Sequence, residues 1–150
     1  MRFEDIKVGL EAEITRKISG RDVRAFADLT GDNNPLHMDD SFSAKTPFKK
    51  RVVHGMLSAS YISALIGTKL PGPGGLWVSQ TLNFLMPVRI GDTIKVLAKV
   101  KQKSEATRLL VLKISVTNQR KQEVLNGEGV VKILEVKEEK KWKKEHGERL

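Results

Sequence analysis

The residues with the clearest capacity for chemistry lie in TGDNNPLHMDD, residues 30 to 40. An acid, Asp32, stands five positions before an imidazole, His37, with Asn33, Asn34 and Pro35 among the residues between them. A carboxylate and an imidazole that meet around one small molecule make a general acid–base pair. Whether they meet depends on the backbone. In a helix, five steps of about 100° leave the two side chains roughly 140° apart; in a strand an odd separation sends them to opposite faces. Only an irregular path makes them converge. Pro35 disfavours helical geometry at Asn34, and the two asparagines tolerate left-handed or Asx-turn conformations. The segment therefore supplies such a path, and it would serve equally well as a solvated turn.

Further candidates lie downstream. A metal site built from His37, Asp39, Asp40 and His54 can be drawn, but no HExxH-like ligand register supports it, so no metal is expected. His54 is the third residue of the stretch VVHGMLSASYISALIGT, residues 52 to 68, and reads as a histidine satisfied by hydrogen bonds at a helix start. Gly55 beside it is more telling. A helix start offers unpaired N–H groups to an oxyanion, and glycine leaves the approach open, although a tight helix entry would ask for the same residue. The serines of this stretch have no GxSxG elbow around them, so Ser63 is expected to pack or to donate a hydrogen bond rather than to attack. Lys45, Lys49, Lys50 and Arg51 form the densest basic cluster of the body.

The elements that must hold these residues can be placed in order. LEAEITRKI, residues 10 to 18, reads as a strand. Ser19 to Asp22 resembles a capping box, and Val23, Phe26, Ala27 and Thr30 follow at helical spacing, so a helix is expected over 20 to 30 with its stop at Gly31. Residues 31 to 51 are polar and irregular, with one helical turn expected near 40 to 45. Residues 52 to 68 contain no charged side chain and many small ones, which predicts a central helix covered on most sides. After the break Pro71-Gly72-Pro73-Gly74-Gly75 come four β-like runs, 76 to 87, 92 to 103, 107 to 118 and 122 to 134. Alternation is plain in Ile94, Val96, Ala98, Val100 and in Leu110, Leu112, Ile114, Val116. The expected fold class is α+β, an antiparallel β-sheet wrapped around a long central α-helix.

Composition narrows the function classes. A chain of 150 residues with 39% hydrophobic content suits one domain. It has no cysteine, which removes disulfides, thiolate ligands and thiol nucleophiles. The opening MRFEDIKVG lacks the apolar run of a secretory signal, and residues 52 to 68 carry His54 and several hydroxyls, so a cytoplasmic protein with no membrane span is expected. The net charge is +9, but residues 137 to 150 hold six Lys/Arg against four Glu, and only 5% of residues are aromatic. With no nucleic-acid motif present, no nucleic-acid partner is expected. The basic cluster suits phosphates, whether of a nucleic acid or of a small anionic ligand. Residues 1 to 136 are read as the domain and 137 to 150 as a charged tail.

FADLTGDNNPLHMDDSFS (26 to 43), VVHGMLSASYISALIGTKLPGPGG (52 to 75) and LNFLMPVRIGDTI (82 to 94) together resemble the (R)-specific enoyl-CoA hydratases of the MaoC-like hydratase/dehydratase family. The resemblance runs from about residue 5 to residue 134. It implies a hot-dog fold and reversible hydration of a trans-2-enoyl-CoA to an (R)-3-hydroxyacyl-CoA, with no cofactor beyond the coenzyme A of the substrate. Asp32 and His37 match the pair that grips the attacking water, and Gly55 matches the oxyanion donor. Asn34 falls inside the motif as a residue that shapes the loop, and Ser63 matches a serine that hydrogen-bonds the aspartate. Lys45, Lys49, Lys50 and Arg51 become candidates to attract carrier phosphates, and a homodimer or dimer of dimers is expected. The same site would serve a 3-hydroxyacyl-ACP or acyl-CoA dehydratase of fatty-acid synthesis. A thioesterase on this fold would lack a use for the Asp32 and His37 match; a non-catalytic binder of acyl thioesters or nucleic acid is the rival from a different class, told by steeply salt-dependent nucleic-acid binding without turnover.

Overall fold

The computed structural model describes residues 1 to 134; the charged tail read at 137 to 150 lies outside the described residues. Strand β1 (Glu11–Lys17) leads into helix α1 (Gly20–Thr30), whose start is fixed by a complete capping box. The Ser19 hydroxyl accepts from the Asp22 N–H (3.3 Å), and the Asp22 carboxylate takes the Ser19 N–H and O–H, both at 2.7 Å. Those hydrogen bonds hold the Asp22 carboxyl below its ordinary pKa. At the other end Gly31 adopts φ 79°, ψ 3°, a left-handed conformation that glycine takes without strain, and its N–H closes on Ala27 O at 2.8 Å.

The expected irregular loop is more helical than its composition announces. It folds into α3 (Asp40–Ala44), the turn expected near 40 to 45, and, before it, α2 (Pro35–Met38), too short to show a periodicity. Each is started by a side chain: Asn34 accepts from the Leu36 N–H (3.0 Å) and Asp39 from the Phe42 N–H (2.9 Å). The fully buried Ser43 donates to Leu36 O (3.1 Å) and so fastens the two together.

Helix α4 (Gly55–Thr68) packs Leu57, Ile62, Leu65 and Ile66 into the core. Its opposite side, with Met56, Ser60, Ser63 and Gly67, is exposed, so within one chain the helix is covered on one side rather than on most. Beyond it the expected run 76 to 87 is split into β2 (Gly75–Gln80) and β3 (Asn83–Phe84), followed by β4 (Thr93–Ser104), β5 (Leu109–Thr117) and β6 (Glu123–Ile133). All pairings are antiparallel, in the order β1-β4-β5-β6-β2, with β3 also on β6. The register Val96↔Val116, Ala98↔Ile114, Val100↔Leu112 puts the alternating apolar set on one face, where it meets α4. Salt bridges Glu11–Lys99, Glu13–Lys95 and Lys101–Glu128 decorate exposed positions of the sheet. Among the described residues no helix is long and apolar enough to cross a membrane.

The split between β2 and β3 has a steric cause on β6. The chain turns over Gly127 at Thr81, so closely that a Cβ on Gly127 would lie 1.8 Å from the Thr81 carbonyl oxygen. Gly127→Ala is expected to cost about 3 kcal/mol or to abolish folding. Urea unfolding checks this; a variant as stable as the parent would show that the crossing can relax.

Candidate active site

Three buried residues, Val52, Val53 and His54, run extended into the start of α4 and gather the site around them. The Val52 N–H donates to Leu36 O (3.2 Å) and the Val53 N–H to Val88 O (2.8 Å). The Val52 carbonyl accepts from Nδ1 of His37 at 2.8 Å. A carbonyl only accepts, so Nδ1 of His37 carries the hydrogen, and in the neutral ring the lone pair lies on Nε2. His54, 2% exposed, contributes its ring: Nε2–H donates to the main-chain oxygen of Asp32 at 3.0 Å, and the ring stacks on His37 with centroids 4.0 Å apart. Phe26 of α1 also packs against the His54 ring, with centroids 5.0 Å apart.

Asp32 and His37 do converge. A carboxylate oxygen of Asp32 and a ring nitrogen of each of His37 and His54 lie within 4.8 Å of one another. The route is the one the intervening residues permit. Gly31 turns the chain, the Asn34 N–H donates to Oδ1 of Asp32 (3.3 Å) in an Asx-type turn, and Asn34 then starts the helix that carries His37. Two groups so spaced can hold one water between them at ordinary hydrogen-bond distance. The same three residues offer ligand atoms close enough for a metal ion; Nε2 of His54 is engaged with the Asp32 carbonyl, and its Nδ1 is buried with no hydrogen-bond partner among the described residues.

Gly55 is the first residue of α4, and the N–H groups of Gly55 and Met56 have no acceptor among the described residues. A Cβ on Gly55 would come within 2.8 Å of the Phe84 ring. Here a cleft of about 420 Å³ opens, with His37, Gly55 and Ser58 on one side and Phe84, Met86 and Leu125 among its apolar walls.

The remaining candidates fall in three places. Asn34 acts as a cap, as described. Ser63 is exposed on α4, eight residues or about 12 Å along the helix from Gly55, and makes no hydrogen bond among the described residues, so the bond to Asp32 implied by the resemblance is not made within the chain. Lys45, Lys49 and Lys50 are exposed on the loop after α3, while Arg51 is half-buried and bonded to Asp40 at 2.9 Å. Sequence reasoning missed what holds that loop. The Arg89 guanidinium reaches Lys50 O (2.7 Å) and Phe48 O (3.0 Å) from 38 or more residues away. It also missed Ser58 and the use made of His54; the adjacency of His54 to Gly55 was the available signal.

Residues 3 to 124 match the family described as "MaoC like domain". A 3-hydroxybutyryl-CoA dehydratase of Methylorubrum extorquens is 46% identical over 133 residues, covering 87% of this chain and 83% of that protein. An (R)-specific enoyl-CoA hydratase of Rhodospirillum rubrum is 52% identical over 92 residues, covering 61% of this chain and 64% of its own. The solved (R)-hydratase of Aeromonas caviae, described as involved in PHA biosynthesis, superposes with a TM-score of 0.85 at 37% identity over 87% of this chain and 99% of that one. The fold is thus the expected hot-dog arrangement.

His54→Ala removes the donor to Asp32 and the surface on which His37 stacks. It is expected to cost about 3 kcal/mol in urea unfolding and to raise the amide exchange of residues 31 to 38 above that of the sheet. Unchanged exchange in that segment would refute the clamp.

Proposed function

This chain belongs to the MaoC-like domain family, and from that premise we propose that it catalyses the reversible hydration of trans-2-enoyl-CoA to (R)-3-hydroxyacyl-CoA. The observation that carries the reading is the convergence of Asp32 and His37 beside a cleft whose wall includes the start of α4 at Gly55. Hydration needs a base for the attacking water, an acid for the α-carbon and a donor for the thioester oxygen, which gains charge as the β-carbon is attacked. In the proposal Asp32 and Nε2 of His37 share the water. One of the pair, entering unprotonated, takes the water's proton, and the other, entering protonated, delivers its own to the α-carbon on the same face, so that the pair's total proton count is unchanged. The Gly55 N–H receives the thioester oxygen, where the helix start favours negative charge.

Lys45, Lys49 and Lys50 extend the reading to the carrier, since three exposed ammonium groups on the loop after α3 suit the phosphates of coenzyme A. Arg51 is kept for the loop's own structure through Asp40. Ser63 is given no part in the water-holding pair. No metal or redox cofactor and no nucleic acid enters the proposal, and a cytoplasmic setting belongs to it. Supply of (R)-3-hydroxyacyl units to a polyhydroxyalkanoate is the use that the A. caviae relative's description supports.

A homodimer is also proposed. Strand β2 is an edge of the sheet and presents Leu76 and Val78, each more than half exposed, with Met56 and Phe84 also open to solvent. An apolar edge of this kind asks to be covered.

Two measurements test these statements. With crotonyl-CoA, loss of the enoyl absorbance and chiral analysis should show an (R)-3-hydroxy product, and Asp32→Asn and His37→Ala should each lower kcat by about 10²- to 10⁴-fold. No turnover by the wild type on enoyl-CoA or enoyl-carrier-protein substrates, or full activity in both variants, would sink the reading; a preference for the carrier protein would move it to the dehydratase of fatty-acid synthesis. In sedimentation, the wild type should weigh two chains or four, and a double variant, Leu76→Lys with Val78→Lys, only one. A wild type that sediments as a single chain would dispose of the dimer.

A further inference from the structure

One polar atom in the cleft has no use in the folding of the chain. Ser58 is 3% exposed, its N–H is engaged with His54 O (3.3 Å), and its hydroxyl has neither a hydrogen-bond partner among the described residues nor contact with solvent. Serines and threonines in helices commonly turn the hydroxyl back to a carbonyl three or four residues earlier. On this same helix Ser60 does so to Leu57 O (2.7 Å) and Thr68 to Ala64 O (2.6 Å). Ser58 does not, although its residue forms part of the cleft wall. A buried hydroxyl left unbonded destabilises the chain that carries it, and alanine would fill the position without that cost.

Position gives the atom a partner. Ser58 lies three residues beyond Gly55, on the same face of α4, and helical side chains lean back toward the helix start. Its hydroxyl therefore sits alongside the opening turn, where the N–H groups of Gly55 and Met56 have no acceptor among the described residues. The ring over Gly55 belongs to Phe84, which is 53% exposed and so has room on its outer side to give way. An enoyl group is hydrocarbon except for its thioester oxygen, and that oxygen has two lone pairs. Resting on the hydratase reading, we infer that Ser58 Oγ–H donates a second hydrogen bond to the thioester oxygen, beside the Gly55 N–H, and so shares the charge that develops there.

The test compares the wild type with Ser58→Ala and Ser58→Cys. Ser58→Ala should lower kcat on crotonyl-CoA about tenfold with little change in KM, as expected for a donor used chiefly in the transition state. Its thermal midpoint should equal or exceed that of the parent, since no group among the described residues bonds the hydroxyl. Ser58→Cys, with a weaker donor, should fall between. An independent readout is acetoacetyl-CoA, which loses its α-proton to solvent and shows an absorbing enolate when bound. Ser58→Ala should shift the pH at which the bound enolate forms upward by about one unit, a tenfold loss of oxyanion stabilisation. If Ser58→Ala matches an active wild type within about twofold and forms the enolate at the same pH, the Ser58 assignment fails alone. If the wild type turns over no enoyl thioester, the hydratase reading fails and takes this assignment with it.

Discussion

The site depends on three residues of extended backbone. Val52, Val53 and His54 are buried, and their hydrogen bonds reach three separate parts of the fold: Leu36 and His37 in α2, Val88 in the chain before β4, and Asp32 through the His54 ring. Burying this segment without such partners would strand its peptide groups in an apolar interior at a cost of several kcal/mol. Because these bonds reach three separate parts of the fold, satisfying them all fixes the relative positions of α2, the α1 exit and the start of α4. The geometry that supports a catalytic reading is thus set by the backbone's need for partners.

Around that junction the labour is divided. The sheet and the inner side of α4 supply the apolar burial that holds the domain together, with Ile94, Val96, Leu112 and Ile114 fully buried against the helix. The polar loop contributes little to that core, yet it is held as firmly as its task requires, by Ser43 within and by Arg89 from across the fold. Arg89 also places a fixed positive group under a loop of exposed lysines, which leaves the lysines, rather than the loop's fastening, to meet an anion.

How much of this could be read in the sequence varies with the range of the interaction. The capping box of Ser19 and Asp22, the stop at Gly31 and the uncharged run of α4 are local patterns, and the elements appear where those patterns place them. The convergence of Asp32 and His37 was open until the loop's path was known, since the same Asn-Pro bend serves a plain turn. Helix α3 lies where one turn is expected near 40 to 45, whereas α2, with four residues, completes too few turns to show a period. The split of the 76 to 87 run was hidden for another reason: its cause, Gly127, lies on a different strand. Likewise the Arg89 anchor and the missing partner of Ser58 are facts about residues far apart in sequence or about an absent contact, and neither leaves a mark in a local pattern.

The hydrogen bond from His37 to Val52 has a directional consequence. A ring held at Nδ1 by a main-chain carbonyl cannot turn over without breaking that bond, so any proton the imidazole exchanges passes through one fixed nitrogen. A proton accepted there waits in the position from which it is returned. Such a ring needs no reset between opposite proton transfers, and a reaction conducted through it runs in whichever sense the surrounding concentrations dictate.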